Sequence, residues 1–279
     1  MPIHDQGYRR YGGGKTPRGQ AWTVITRAGL RTMLAKRAFL GLLLVSWFPF
    51  FVRAVQIYAA ANLPQAAFLA PTAETFREFL GQQSTFVFFV TVYVGAGLIA
   101  NDRRANALQI YLSKPLTRAE YVFGKLAILV TFLLFVTWVP AMLLLIVQIA
   151  FAGNFTFFKN NLFLFPAITV FCAVEVIMVA TAMLALSSLT KSTRYVGILY
   201  AAVVFFTSAI YGVLYAVTRS SSLSWISFPA DLDQIGNVIF RLPLKYDTPW
   251  QVSLLVIVAV VVLSGVILER RVRGVEVVA

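Results

Sequence analysis

At 279 residues, 59% of them hydrophobic and only 13% charged, with a mean hydropathy of +0.78, the chain is too apolar for a soluble domain, which runs nearer half apolar and a quarter charged. The net charge of +13 does not indicate nucleic acid. Its basic residues stand in clusters between long apolar runs, as orientation signals do, and not together on one soluble face.

In chain order, residues 1–19 read as a flexible cytoplasmic tail. Over 20–37 the pattern turns amphipathic, with Trp22, Ile25, Gly29, Leu30 and Met33 at steps of three or four and Arg27, Arg31 and Lys36 between them. Such a helix lies in a membrane interface, apolar side in lipid and basic side toward headgroups; the plainer reading is the start of the first span. The first apolar run begins near Ala38, with no cleavable signal before it, and is expected to remain as an anchor. Spans are expected at 38–59, 84–100, 126–150, 162–186, 196–217 and 250–268, each of roughly membrane length. The basic residues of 1–37, 101–125, 187–195 and 269–279 number 18, against Arg77, Lys159, Arg219, Arg241 and Lys245 on the opposite side. The positive-inside rule then puts both termini in the cytoplasm. Between the last two spans, 218–249 reads as one or two short amphipathic helices on the outer surface.

The connection after the second span carries the most information. Asp102, Arg103 and Arg104 open it, Leu108, Tyr111 and Leu112 make one apolar face, and Ser113 and Pro115 end it. This predicts a short helix over 102–113, its acidic start suited to the positive end of the helix dipole and Pro115 preventing extension. Thr117 and Glu120 then form a capping box for a helix carrying Arg118, Tyr121, Gly124 and Lys125 into the third span. A helix–break–helix pinned between two spans can fill a groove on a partner and convey its movement to both.

This ordered set resembles the permeases of ABC-2 type transporters, most densely over 95–126 and more loosely over the amphipathic segment and the six-span layout. Asp102 stands where glutamate is commoner and Ala107 where glycine often is. The resemblance implies an all-α membrane protein of six transmembrane helices, type V exporter-like, with an N-terminal elbow helix and a cytoplasmic coupling helix in the 101–125 loop. Residues 20–279 would form one transmembrane permease domain in the inner (cytoplasmic) membrane, paired with a second permease copy as homodimer or heterodimer and with separate ABC ATPase subunits. Within the loop, Leu108, Tyr111 and Leu112 would be docking anchors and Asp102, Arg103, Arg104 and Arg118 rim pairs. No cofactor is expected on this chain, since ATP and magnesium would be held by the partner.

Other features carry less. Residues 12–16 read Gly-Gly-Gly-Lys-Thr, but Arg9 occupies the position where a phosphate-binding loop needs its first glycine, and Pro17 follows at once. No HExxH, GxSxG or paired carboxylate–histidine set exists, and one His and one Cys leave a metal site without ligands; an enzyme is not expected. Cys172 is alone within an apolar run, and 154–156 matches a glycosylation triplet that is common by chance. Glu175, in the middle of the fourth span, is costly there as a lone charge. It either lines a path, carries a proton or is a hydrogen-bonded helix contact. Arg53, just after Pro49, either snorkels outward or pairs with Glu175. Rival classes are an ATP-independent channel or carrier, expected to show inverted repeats or several intramembrane charges, and a membrane-anchored scaffold for a cytoplasmic partner.

Overall fold

The computed structural model describes residues 20–107, 117–152 and 161–272, and every regular element among them is helical. A helix α1 (Ala21–Leu34) precedes α2 (Arg37–Asn62), α3 (Ala73–Arg104), α4 (Arg118–Phe151), α5 (Leu164–Leu189) and α6 (Thr193–Thr218). A shorter helix α7 (Phe228–Ile239) leads to α8 (Trp250–Arg271). Six of these, α2 to α6 and α8, are long and apolar enough to cross a membrane. The chain is a multi-pass membrane protein. Residues 1–19, with 12–16 among them, and the triplet at 154–156 lie outside the described residues.

Alternation of span and connection gives the bundle two ends. One, the basic end, carries α1, the last turn of α3, the start of α4 and the link from α5 to α6. The other, the cap end, carries α7 and its flanking loops, held by Gln234, whose amide donates to Tyr246 O (3.0 Å) and Thr248 O (2.7 Å). Both amphipathic-helix expectations for 218–249 correspond to a 3-10 turn at Ser224–Ile226 and to α7. Two helices bend where proline removes a backbone donor, α2 at Trp47–Pro49 and α4 at Thr137–Pro140.

Burial separates the helices into two classes. In α3 and α5, 61% of the most apolar stretch is buried, against 17% in α2 and 11% in α6. The inner trio α3, α4 and α5 therefore forms the packed core, and α2, α6 and α8 present apolar faces outward. Core side chains divide into a cluster toward the basic end, including Phe39, Ile99, Tyr121, Leu129 and Met183, one toward the cap end, including Phe76, Leu80, Phe171 and Phe240, and a small third one of Met178, Ile235 and Ile257 that joins α5, α7 and α8.

Three differences from the sequence reading have clear causes. Helix α3 starts at Ala73, not at 84: Glu74, Arg77 and Glu78 depress its hydropathy, but Arg77 and Glu78 are paired within the fold. It also runs on through Asp102 and Arg103 to Arg104, and Asn106 in the left-handed region (φ 52°) makes the break. Asp102 thus sits in the last turn of a helix and not at the favourable start of one. Finally, the apolar stripe of α1 does not lie wholly in lipid. Ile25, Leu30 and Met33 pack against the core, while Trp22, Val24 and Leu34 remain exposed.

At the cap end Asp231 of α7 is fully buried, and burial pushes its carboxyl up to about 7, with the Ser253 hydroxyl opposing the shift. At low pH the group is neutral whether the chain is folded or not. As pH rises past about 4, the unfolded chain ionises first and stability is lost until the folded group ionises too. Asp231→Asn should therefore melt with wild type at about pH 4 and above it at about pH 8, as followed by thermal unfolding in detergent.

Candidate functional site

The root of the 101–117 connection is built by four helices converging at the basic end. Asp102 of α3 accepts a hydrogen bond from Tyr121 Oη (2.7 Å) and pairs with Lys125 Nζ (2.6 Å), both on α4. The Lys125 ammonium also lies over the Tyr121 ring. With 17% of Asp102 and 12% of Lys125 exposed, the pair is largely screened from water and correspondingly strong. A carboxylate at a helix C-terminus opposes the local dipole, and this lysine offsets that conflict.

The same turn is held from α5 and α6. Ser187 Oγ donates to Ala96 O (2.9 Å) and accepts from Ile99 N (3.1 Å) and Ala100 N (3.0 Å). This lies just after a π-turn at Thr91–Gly95, where helical hydrogen bonding shifts register. Arg103 Nη1 donates to Ser188 O, and Thr193 Oγ1 donates to Asn101 Oδ1 (2.8 Å). On the far side the Thr117–Glu120 capping box is formed, Thr117 N donating to Glu120 Oε2 (2.9 Å) and Glu120 N to Thr117 Oγ1 (3.2 Å).

Glu120 has a second role. Its Oε1 accepts from Ala21 N (3.3 Å), the first residue of α1. Thr26 Oγ1 reaches Gly124 O (3.2 Å), and a side chain at Gly124 would bring a Cβ within 2.9 Å of Ile25 Cβ. Gly29 receives Ile128 in the same way from the opposite helix. The two glycines let α1 and α4 cross in close contact, which ties the amphipathic helix to the same root.

Of the predicted site residues, Asp102, Arg103, Tyr121, Gly124 and Lys125 thus come together, turned into the bundle. Asp102 and Arg103 were expected at a rim and instead have partners inside the chain. Arg104 and Arg118 are exposed on either side of the root. Leu108, Tyr111, Leu112, Ser113 and Pro115 lie outside the described residues. Ser187, Ser188 and Thr193 were missed, since short hydroxyl side chains at the end of an apolar run give no distinctive pattern.

Glu175 and Arg53 are not paired. Arg53 bonds Glu78 (3.0 Å) and Gln56 (2.9 Å) at the cap end. Glu175, 1% exposed, accepts from Ser84 Oγ (2.8 Å), and its Oε2 has no hydrogen-bond partner. It lines a partly open cavity of about 470 Å³ between α3, α5, α6, α7 and α8. Arg77, which by hydropathy alone falls in a connection, sits in α3 on the cavity wall. It donates to Asp233 Oδ1 (2.7 Å), whose Oδ2 takes Lys245 (2.8 Å), and it stacks on Phe171 (4.7 Å). A Cβ at Gly236 would strike its guanidinium, so only glycine lets α7 approach. Among the described residues no cluster of His, Cys, Asp and Glu could hold a metal ion.

Residues 23–271 match the sequence profile of the ABC-2 family transporter proteins. A search of curated proteins finds no match.

Removing Lys125 alone should leave Asp102 half-partnered at a disfavoured helix end. Lys125→Met is expected to cost about 1–3 kcal/mol, and Asp102→Asn with Lys125→Met to recover part of that loss. Unfolding midpoints of the two single variants and the double variant in one detergent would check the order.

Proposed function

Because the chain belongs to the ABC-2 transporter family, we propose that it is the membrane-spanning permease subunit of an ATP-driven exporter, docked to a separate ABC ATPase through the 101–125 loop. It supplies the path and the lever; hydrolysis belongs to the partner. The observation that carries this reading is the clamped root of that loop. Both its ends are fixed by directed bonds to α3, α4, α5, α6 and α1 at once, so a force on the loop acts on five helices together.

Orientation follows from charge. The end that carries α1, Arg104, Arg118, Lys191 and Arg270 is the cytoplasmic one in the inner membrane, with both termini on that side. There α1 serves as the elbow helix, Arg27 and Arg31 exposed toward anionic headgroups. Arg104 and Arg118 flank the loop and steer an acidic groove of the ATPase onto it, while Leu108, Tyr111 and Leu112 fill that groove. Two permease copies, alike or different, combine with two ATPases in a type V exporter-like arrangement. Closure of the ATPases on ATP drives the two loops, and the inner trio α3 to α5 carries the motion across the membrane. A channel or carrier working without ATP has less support: among the described residues Glu175 alone is an ionisable group in mid-membrane without an ionic partner.

Co-expression with a candidate ABC ATPase should give membrane-bound, vanadate-sensitive ATPase activity. Arg104→Glu with Arg118→Glu and Tyr111→Ala should abolish co-purification of the two subunits while the permease keeps its elution profile. Co-purification undiminished by those changes would overturn the docking assignment.

A further inference from the structure

The cavity beside Glu175 has a definite chemistry. Its volume of about 470 Å³ falls in the range of small-molecule sites, about 300–1,000 Å³. Apart from the few polar groups, its walls are apolar and aromatic, with Phe88, Met178, Tyr200, Phe228 and Val260 among them. Two buried polar atoms on its lining residues have no hydrogen-bond partner: Arg77 Nε, which is packed against Gly236, and Glu175 Oε2, on a side chain 1% exposed whose other oxygen is already taken by Ser84.

We propose that this cavity binds a lipophilic amine, its protonated nitrogen donating to Glu175 Oε2 and its apolar body lying against Phe88, Met178 and Phe228. Glu175 has no ion pair of its own in mid-membrane, since Arg77, the cation on the same cavity wall, is bonded to Asp233; a bound ammonium supplies that pair together with the missing hydrogen bond. The alternatives fit worse. An anion would meet Glu175 without a cation to receive it, because Arg77 is bonded to Asp233, stacked on Phe171 and covered by Gly236. A small hydrated metal ion would find Glu175 with the Ser84 hydroxyl but no second free carboxylate, since Asp233 is engaged by Arg77 and Lys245, too few oxygen ligands for its coordination. A neutral apolar molecule would fill the space and leave Oε2 unpaired, which costs binding energy.

The cavity is partly open, is lined along one side by α6 and α8, the helices of the outer class, and reaches from α7 at the cap end past Glu175 to Ala185 and Ile267. That the amine is cargo rests on the permease reading given above; that it binds does not.

Tritiated imipramine, a protonated tricyclic amine at neutral pH, and dodecylamine would be bound to the full chain in nanodiscs, with empty nanodiscs as background. Saturable binding of at least one amine to wild type is expected. It should be weakened about tenfold or more in Glu175→Gln and abolished by Ala182→Trp, which fills the cavity from α5, both variants eluting as wild type does. Excess carbamazepine, a neutral tricyclic, should not displace it. The proposal is overturned if neither amine binds saturably to wild type, if Glu175→Gln binds equally well, or if carbamazepine competes as well as the amine does. Because no ATPase is present, failure here leaves the permease reading standing. Loss of ATPase coupling with amine binding intact would remove that reading and keep the site.

Discussion

A charge inside a hydrocarbon layer must find a partner or reach an end of its helix, and that requirement arranges this bundle. Along α3 no charged residue intervenes between Glu78 and Asp102, a stretch of about 36 Å at the helical rise, slightly more than the hydrocarbon thickness of about 30 Å. At its cap end Glu78 meets Arg53 and Arg77 meets Asp233; at its basic end Asp102 meets Lys125. Each pair also joins α3 to another element, α2, α7 and α4 respectively. Charge neutralisation and helix assembly are therefore achieved by the same contacts. Single ion pairs of this kind add little net stability over apolar packing, but they fix which residue lies opposite which, and in a bundle held mainly by apolar surfaces that register has few other sources.

Glu175 is the departure from that arrangement. It lies on α5 between two clusters of packed side chains, with Phe171 one turn before it belonging to the cap-end cluster and Val179 one turn after it to the other. The core is thus divided at the level of the carboxylate, and the cavity opens beside the division. A helix with a uniformly apolar face would close such a gap by packing; a glutamate held on one side by Ser84 does not. The polar group and the space belong to one feature.

How much of this was readable beforehand follows from what each residue type reveals. The six apolar helices, the two amphipathic segments and the Thr117–Glu120 cap were legible, because period, hydropathy and capping chemistry are local. The start of α3 was not. Arg77 and Glu78 look like loop residues until Asp233, 156 positions on from Arg77, and Arg53 are known to face them, so hydropathy cut the helix by three turns. Asp102 was assigned to a helix start on its dipole preference, and the structure puts it at a helix end because Lys125 and Tyr121 of α4 outweigh that preference. Ser187 was invisible for another reason: its bonds go to backbone groups of α3, and a backbone partner leaves no mark in the sequence.

The two ends of the bundle are also joined mechanically. The connection from Asp102 to Tyr121 and Lys125 makes the end of α3 and the start of α4 one body, and Ser187 with Arg103 adds the end of α5. Displacing that body along the membrane normal moves three packed helices whose other ends hold Arg77, Glu78 and the walls of the cavity. Rigid helices transmit such a displacement with little loss, whereas the π-turn at Thr91–Gly95, between the root and Ser84, is where α3 can change its twist at least cost. A shift of register there would rotate Ser84 relative to Glu175 while the root stays clamped. The bond that holds Glu175 in the cavity wall is therefore placed where movement at the basic end would be felt, which on the permease reading proposed above would connect the 101–125 loop to the cavity.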